Sequence, residues 1–527
     1  MDGIYLRAKN VKGNGIDGYD EKTTFGLEYE ETERQTEAAE EDPERYLRRS
    51  KRLAGIPADG PSVTDGNHKV TGDTNVRTIH LDEGVGIVDA SEPRAVNFIF
   101  NTSINSDPGE AKTIFEALNG DDKKWWKLSG IAEVNNFLSR GAWKFVLKSS
   151  VSDRKLIGTK VVFKKKDEVD GTIRFKTRIV TLGYMQIPGV DYTEKFSPVA
   201  CDTSIRIVLA LVLFYYDSHG WRARSMDVEA AFLEGKMNKP MYLKIPDILV
   251  MLGFVTKKQQ EKFCISLMRS MYGNVGAALR FFIIFVQCLQ NKDIGMTQSQ
   301  ADPCVMYMKD GNGMPRVVAA ITVDDCLLGG KPEDIACLME KVEKYFKISI
   351  DNNLERHLGV DYKFLRDDKN EIYLEATMEK KVNDIIKFFE DVTGEDVTIY
   401  ETPGIPGSVL KTNEGETINV EAYRTLVGKL MFYTTKVGLK QSNAVRDLSR
   451  HMENPGESHW MTMKRVVGYM KGQTRKGLLL TKPVELRMVA LADADYAKDP
   501  VERKSVGGDI HTLGGVLPVF RAEERKV

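Results

Sequence analysis

Two adjacent carboxylates interrupt an apolar segment of the chain. Asp324 and Asp325 stand between the apolar runs 319–323 and 326–328. Burying ionised carboxylates is costly unless they are paired or bind a metal ion, so we predict that both lie in a hairpin turn at the mouth of a cleft. An ordinary Asp-rich turn would explain this doublet as well when the doublet is considered alone.

A third carboxylate favours metal binding over an ordinary turn. Asp227 ends a predicted strand and precedes a short predicted helix, within the segment 225–233 of sequence SMDVEAAFL. Two metal ions ~4 Å apart need carboxylates that converge from separate elements. Oxygen ligands suit Mg²⁺, with Mn²⁺ as a substitute. Such a centre can activate a 3'-hydroxyl nucleophile and stabilise a leaving pyrophosphate.

The elements that must position these carboxylates are a mixture of strands and helices. Strands are predicted over 160–166 and 171–181, joined by a turn at Asp170-Gly171, and strand-like sequence returns over 485–520. An apolar strand pair covers 317–328 and is broken at the Asp doublet. Helical spacing of apolar residues predicts helices over 114–140, 205–216, 335–346, 378–392, 420–437, 442–452 and 459–473. Antiparallel hairpins with packed helices indicate an α+β fold.

Composition limits the classes of partner and compartment. Lys and Arg number 75 against 76 Asp and Glu, so binding of a polyanion must depend on local basic patches. The six cysteines form no CxxC pair, which argues against a zinc site or a disulfide framework and suits a reducing compartment. The start of the chain lacks a signal-peptide pattern, and the longest apolar run, 207–216, is too short to span a membrane. We therefore expect an intracellular, cytoplasmic protein with no membrane partner.

The first 97 residues are rich in blocks of opposite charge. An acidic stretch over 28–44 is followed by a basic cluster over 45–52. Charge blocks with few aromatic residues are typical of a disordered tether, so we predict a disordered charged linker over 1–97. A basic contact with nucleic acid is the alternative.

From about residue 116 to residue 516 the sequence resembles the copia-type reverse transcriptase family. The shared segments, in order along the chain, are FKKK (163–166), DG (170–171), RFKTRIV (174–180), GVDY (189–192), FSPVA (196–200), SIR (204–206), MDV (226–228), AFL (231–233), VDD (323–325), TPG (402–404), VGKL (427–430), LSR (448–450) and HW (459–460). Each segment is weak alone, and the ordered series is specific.

The resemblance implies an RNA-directed DNA polymerase with a right-hand fold of fingers, palm and thumb. It assigns 98–350 to fingers and palm, 351–480 to the thumb and connection helices, and 481–527 to a truncated ribonuclease H-like fragment. The expected partners are an RNA template, a DNA primer and dNTPs, with two Mg²⁺ ions as cofactors. A degenerate element remnant that only folds and binds nucleic acid is the alternative function. A metal-dependent nuclease or phosphatase would leave most shared segments unexplained, and the sequence does not determine the oligomeric state.

The resemblance also assigns roles to individual residues. Asp227, Asp324 and Asp325 are similar to the family's metal-binding triad, and Phe232 is similar to its steric gate against a ribose 2'-hydroxyl. A core aromatic on a short helix is the alternative for Phe232. These assignments predict that the three aspartates meet at one cleft.

Three further positions bear on substrate binding. Lys166 and Arg178 are candidate triphosphate contacts, with a solvated basic surface as the alternative. Gly276 replaces a glutamine that the family places against the incoming nucleotide, so restoring glutamine there is expected to raise activity.

The end of the chain resembles the opening of a ribonuclease H domain. The segment ADADYA (492–497) contains Asp493, the expected first metal ligand of that domain, and the sequence ends at Val527. A single strand pair cannot assemble a two-metal site, so we expect no ribonuclease H activity.

Overall fold

A computed structural model describes most of the chain after residue 110. The described residues are 111–167, 173–192, 194, 196–405, 407–474, 476–495 and 505–525, together with the backbone of two short strands at 64–65 and 68–69. Contacts divide the chain into the units 1–60 and 61–527, and every described residue lies in the second. The rest of the predicted linker and the Asp170-Gly171 turn lie outside the described residues. The predicted domain boundaries stay predictions.

Helices occur close to the predicted positions. The α-helices of the described residues are α1 (Ile114–Asn119), α2 (Lys123–Ser139), α3 (Asp202–Tyr215), α4 (Asp247–Met251), α5 (Lys257–Lys262), α6 (Ala277–Gln290), α7 (Pro332–Glu343), α8 (Glu379–Thr393), α9 (Val420–Lys436), α10 (Ser442–Ser449) and α11 (Glu457–Lys471). Short 3₁₀ helices cover Lys148–Val151, Gly183–Met185, Ala231–Glu234 and Leu439–Gln441. None of the helices in the described part of the chain has the length and apolarity needed to cross a bilayer.

The single helix predicted over 114–140 is wrong, because two helices, α1 and α2, occupy this range. Gly120 ends α1 with an extended backbone, and two aspartates follow it. Glycine and aspartate favour turns over helix interiors, which explains the interruption.

Strands make up most of the remaining described structure. In chain order they are β1 (Thr64–Asp65), β2 (His68–Lys69), β3 (Trp143–Leu147), β4 (Leu156–Ile157), β5 (Thr159–Asp167), β6 (Ile173–Thr181), β7 (Arg222–Val228), β8 (Lys236–Leu243), β9 (Phe263–Arg269), β10 (Thr297–Gln298), β11 (Val305–Lys309), β12 (Pro315–Thr322), β13 (Asp325–Gly330), β14 (Ile348–Asp351), β15 (Arg356–His357), β16 (Val360–Arg366), β17 (Ile372–Thr377), β18 (Leu478–Thr481), β19 (Met488–Asp495), β20 (Ser505–Leu513) and β21 (Val516–Arg525). The predicted α+β fold class is therefore confirmed.

A six-stranded antiparallel sheet forms the centre of the fold, with the order β10-β11-β12-β13-β7-β14. The middle of β12 is buried throughout, and helices α3, α6 and α7 contribute to the same apolar core. Gly329 in β13 permits close packing of α3, because a Cβ there would lie 2.8 Å from Val212 Cγ2. This packing fixes the strands that carry the three aspartates.

Three smaller sheets and a helical cluster surround the central sheet. Strands β3-β9-β8-β4 and β15-β16-β17-β18 form four-stranded sheets, and β5-β6 form a two-stranded hairpin. Helices α8 to α11 share a second apolar core. Arg206 of α3 joins this cluster to the central core, because its guanidinium donates to the carbonyls of Thr435 and Lys436 at the end of α9. A cation at a helix C-terminus also interacts favourably with the helix dipole.

The tail of the chain forms a three-stranded antiparallel sheet with the order β19-β20-β21. The expectation of a single strand pair is therefore wrong. Leu513 and Val516, on either side of the β20–β21 turn, pack into the central core, which gives the third strand a buried anchor. Asp493 lies in the outer strand β19 with an exposed side chain.

Candidate active site

Strand register brings the aspartates together. Asp227 of β7 and Asp325 of β13 are direct partners across the antiparallel ladder. The carbonyl of Asp324 accepts a hydrogen bond of 3.0 Å from the Val228 amide, at the end of β7. All three predicted aspartates therefore lie at one end of the same strand pair, and all three are half-buried.

The turn between β12 and β13 differs from the predicted one. Thr322 pairs with Asp325, so the two turn residues are Val323 and Asp324, and Asp325 is the first residue of its strand. Val323 has a φ of +58°, a left-handed conformation that a β-branched residue rarely adopts. Backbone strain of this kind costs on the order of 1–3 kcal/mol and concentrates at functional sites. Here it holds Asp324 at the tip and Asp325 in register with Asp227.

Two carboxyl groups of this cluster, those of Asp227 and Asp325, have raised pKa values. Burial, followed by repulsion from Asp324 and then Asp227, raises the pKa of Asp325 to about 6. Burial and then Asp324 raise the pKa of Asp227 also, and the positive charges of Lys176 and Lys166 act in the opposite direction. The cluster therefore carries more negative charge at neutral pH than its surroundings compensate.

The donor set of this cluster consists of carboxylate oxygens, which suit a hard divalent cation. No three His, Cys, Asp or Glu side chains converge closely enough to form a metal centre within the described residues. The shared strand ends, the oxygen-only chemistry and the mutual repulsion are nonetheless those of a Mg²⁺ site.

The raised pKa of Asp325 predicts a pH-dependent stability difference without divalent cations. Because the pKa rises from 3.8 to about 6 on folding, native stability is lost as pH increases through this window. Asp325→Asn removes the titrating group, so between about pH 4 and pH 7 the variant should gain about 2 kcal/mol relative to the native chain, after discounting for residual solvent exposure. Urea titrations of both proteins across this range measure the difference. A constant difference would contradict the proposed repulsion.

The β5–β6 hairpin presents a basic face. The ladder pairs Lys164 with Lys176 and Lys166 with Arg174, and Arg178 lies two residues further along β6. Side chains alternate between the faces of a strand, so these five cations share one face. Aromatic residues cover the other face, where the Trp126 ring of α2 lies 5.2 Å from Phe163 and 4.7 Å from Phe175. Both predicted triphosphate contacts, Lys166 and Arg178, therefore belong to one basic surface.

Lys176 is a site residue that the sequence prediction missed. Its ammonium is the cation with the largest effect on the pKa of Asp227. Burial lowers the pKa of Lys176 to about 8, and the charges of Arg178 and Lys166 add to that decrease. The alternation of basic residues along β6 was the signal that could have identified it.

An aromatic pair connects the basic face with the aspartates. Phe232 follows Ala230, whose φ of +54° turns the chain sharply after β7. The half-buried Phe232 ring meets the Tyr272 ring edge to face at 5.4 Å, and the Arg178 guanidinium lies 5.3 Å from the centre of the Tyr272 ring. Burial raises the pKa of Tyr272, and the charge of Asp324 contributes to that increase. Tyr272 therefore contacts both Phe232 and Arg178. The sequence prediction did not select Tyr272 as a site residue.

Gly276 has a conformational role at this end of the structure. It is buried, has a φ of +81° and caps the start of α6. The preceding amide, that of Val275, donates a hydrogen bond of 2.8 Å to Gln186 Oε1. The expectation that glutamine at Gly276 raises activity stays a prediction. The left-handed backbone at this position adds a conformational free-energy cost to the substitution.

Gly276→Gln is expected to lower the free energy of unfolding by about 1 kcal/mol, because only glycine adopts a left-handed conformation without a steric penalty. Gly276→Asn is the matched control, since asparagine tolerates this conformation better. Urea denaturation of both variants measures the difference. Equal stability of the two would show that the left-handed backbone does not limit this position.

Comparison with known proteins identifies the family. Residues 141–400, which contain the three aspartates, match the family described as "Reverse transcriptase (RNA-dependent DNA polymerase)". This region belongs to the reverse transcriptase family. The predicted recognition of a copia-type retrotransposon reverse transcriptase is confirmed by relatives that are named as transposon Pol polyproteins.

Three relatives extend the similarity beyond the reverse transcriptase region. The Pol polyprotein from transposon RE1 of Arabidopsis thaliana is 30% identical over 409 residues, which cover 77% of this chain and 26% of the relative. The Pol polyprotein from transposon RE2 of the same plant is 29% identical, over 79% of this chain and 27% of the relative. The Pol polyprotein from transposon TNT 1-94 of Nicotiana tabacum is 28% identical, over 78% of this chain and 30% of the relative. The chain therefore spans between a quarter and a third of these relatives.

Solved structures give a weaker likeness. The foamy viral protease-reverse transcriptase in complex with double-stranded DNA is 12% identical, with a TM-score of 0.35, over 74% of this chain and 54% of the viral chain.

Proposed function

We propose that this chain is an RNA-directed DNA polymerase that extends a DNA primer on an RNA template with dNTPs. The observation that carries the proposal is the pairing of Asp227 with Asp325 beside Asp324, within a region of the reverse transcriptase family. The basic face of the β5–β6 hairpin and the Phe232–Tyr272 pair adjoin these carboxylates. A polymerase needs metal-binding carboxylates, triphosphate contacts and a nucleotide pocket in this arrangement.

The three aspartates would hold two Mg²⁺ ions. When bound, such ions increase the acidity of the primer 3'-hydroxyl and stabilise the charge on the leaving pyrophosphate. Asp227 and Asp325 approach from neighbouring strands, and Asp324 approaches from the turn, so their carboxylates can face a common point. Burial and then repulsion between the carboxylates raise the pKa values of Asp227 and Asp325, and a bound cation would relieve that repulsion.

The basic face supplies binding energy for the triphosphate. Arg178 offers a planar fork to phosphate oxygens, and Lys166 and Lys176 act as point charges. The Arg178 guanidinium packs over the Tyr272 ring, 5.3 Å from its centre, which limits the entropy lost when substrate binds. The chain's contribution to nucleotidyl transfer is therefore orientation together with charge stabilisation.

Phe232 would select deoxynucleotides by excluding a 2'-hydroxyl. Its ring is held edge to face by Tyr272, and the 3₁₀ turn that carries it begins three residues after the end of β7. A rigid aromatic ring that borders the nucleotide pocket can clash with one additional oxygen on the sugar.

Primer extension tests the proposal. The folded protein is incubated with a homopolymer RNA template, a complementary DNA primer, the matching dNTP and Mg²⁺, and elongated primer is resolved by electrophoresis. Incorporation that requires both RNA and Mg²⁺, and that chelation abolishes, is the expected result. Binding of the RNA–DNA duplex without incorporation in either Mg²⁺ or Mn²⁺ would contradict a polymerase and favour the degenerate remnant.

A further inference from the structure

The backbone amides along the outer edge of β6 donate hydrogen bonds to side chains and to a loop carbonyl. Among the described residues β6 pairs only with β5, so its other edge has no strand neighbour. The amide of Thr177 donates to Ser129 Oγ at 2.8 Å, and the amide of Ile179 donates to Glu133 Oε1 at 3.3 Å. The amide of Thr181 donates to the Tyr272 carbonyl at 2.8 Å. Three alternate amides of one strand edge therefore have acceptors outside any sheet.

Helix α2 matches this edge in geometry. Ser129 and Glu133 lie one turn apart on α2, and four helical residues advance about 6 Å. Two strand residues advance about 6.8 Å, which brings alternate amides of β6 opposite these two side chains. The two residues form an edge clasp, a name used below for Ser129 and Glu133 with their hydrogen bonds to β6.

Glu133 acts on more than the Ile179 amide. Its carboxylate is close enough to the charges of Arg178 and Lys176 for both to act on its pKa. Burial has the larger effect and raises that pKa to about 7. A neutral acceptor such as serine or glutamine would satisfy the amide at lower desolvation cost. Glu133 therefore lies beside the cations of the basic face as well as at the strand edge.

We infer that Glu133 is a positioning residue, which fixes β6 through the Ile179 amide so that the Arg178 guanidinium stays against Tyr272. Arg178 directly precedes the clasped residue Ile179, and Tyr272 anchors the same strand through its carbonyl. This inference rests on the proposed function, because it gives Arg178 the task of receiving a triphosphate. Glu133 itself does not contact the substrate.

Three variants separate positioning from charge. Glu133→Ala removes the acceptor and the charge, whereas Glu133→Gln removes the charge and keeps an acceptor. Glu261→Ala, an exposed glutamate on α5, is the matched control for loss of a negative charge. Hydrogen–deuterium exchange of peptides spanning 173–181 should accelerate about tenfold in Glu133→Ala and stay native-like in the other two. Native-like exchange in Glu133→Ala would overturn the clasp.

Binding of inorganic tripolyphosphate distinguishes strand positioning by Glu133 from an effect of its charge, because the two predict opposite changes in affinity. If charge alone mattered, removing a carboxylate beside the cations would strengthen binding in both Glu133 variants. Positioning predicts about tenfold weaker binding in Glu133→Ala and native or stronger binding in Glu133→Gln. Calorimetric titration measures both. Tripolyphosphate binding to Glu133→Ala at native strength or above would overturn the assignment.

Kinetics add a test within the proposed reaction. Glu133→Ala should raise the KM for dNTP about tenfold and change kcat less than about threefold, with Glu133→Gln restoring the native KM. A native KM in Glu133→Ala would overturn the role in substrate positioning. An inactive native protein would contradict the proposed function instead, and the exchange and tripolyphosphate measurements would still decide the clasp.

Discussion

Asp325→Asn is expected to reduce nucleotide incorporation by at least about a thousandfold while leaving the protein folded. Asparagine keeps the shape and the strand pairing with Asp227 but removes the charge that a divalent cation needs. The free energy of unfolding without metal should not fall, because the substitution relieves repulsion within the cluster. Single-nucleotide primer extension at saturating dNTP, together with a thermal melt, measures both effects.

Asp310→Asn is the matched control for this variant. Asp310 is an exposed carboxylate in the β11–β12 turn of the same sheet, where it accepts hydrogen bonds from the amides of Asn312 and Met314. An asparagine can accept the same bonds, so incorporation should remain at the native rate. Added Mg²⁺ should stabilise the native protein and Asp310→Asn, but not Asp325→Asn. Native-rate synthesis by Asp325→Asn would remove Asp325 from the metal site.

Phe232→Ala is expected to lower the preference for dNTP over rNTP by about a hundredfold or more. Loss of the ring opens the space that a ribose 2'-hydroxyl would occupy, so the change should come mainly from an increase in kcat/KM for rNTP. Phe232→Tyr keeps the ring and its edge-to-face contact with Tyr272, and should preserve the preference within a few fold. Steady-state kinetics with dNTP and rNTP on the same primer and template measure the ratio.

The same experiment decides between the two interpretations of Phe232. A core aromatic would give equal losses of kcat/KM for both sugars and a clear decrease in thermal stability after truncation. The half-buried position of Phe232 and its contact with Tyr272 favour the gate. An unchanged ratio in Phe232→Ala would exclude the gate even if activity fell.

Local sequence patterns predicted much of the fold. The apolar run before the Asp doublet was expected to be a strand and forms β12, and most predicted helices lie within a few residues of the observed ones. These elements are governed by side-chain periodicity, which is readable along the chain. Helix α6 was not predicted, because its continuous apolar run over 281–286 fits a buried strand as well as a buried helix.

The residue types of the site can be read directly from the amino-acid sequence. Asp227, the Asp doublet, Phe232 and the basic residues of β5 and β6 are recognisable because each lies in a short segment shared with the copia-type family. Metal binding needs acidic side chains and polyanion binding needs basic ones, and the amino-acid sequence alone fixes which positions carry them.

The arrangement of these residues depends on how the strands and helices pack in three dimensions. It placed Asp325 in a strand opposite Asp227, and it added Glu133, Lys176 and Tyr272 to the site. Strand register and the packing of a helix against a strand edge depend on contacts between residues that are distant along the chain. Such contacts leave no periodic trace in the local sequence, so folding alone reveals them.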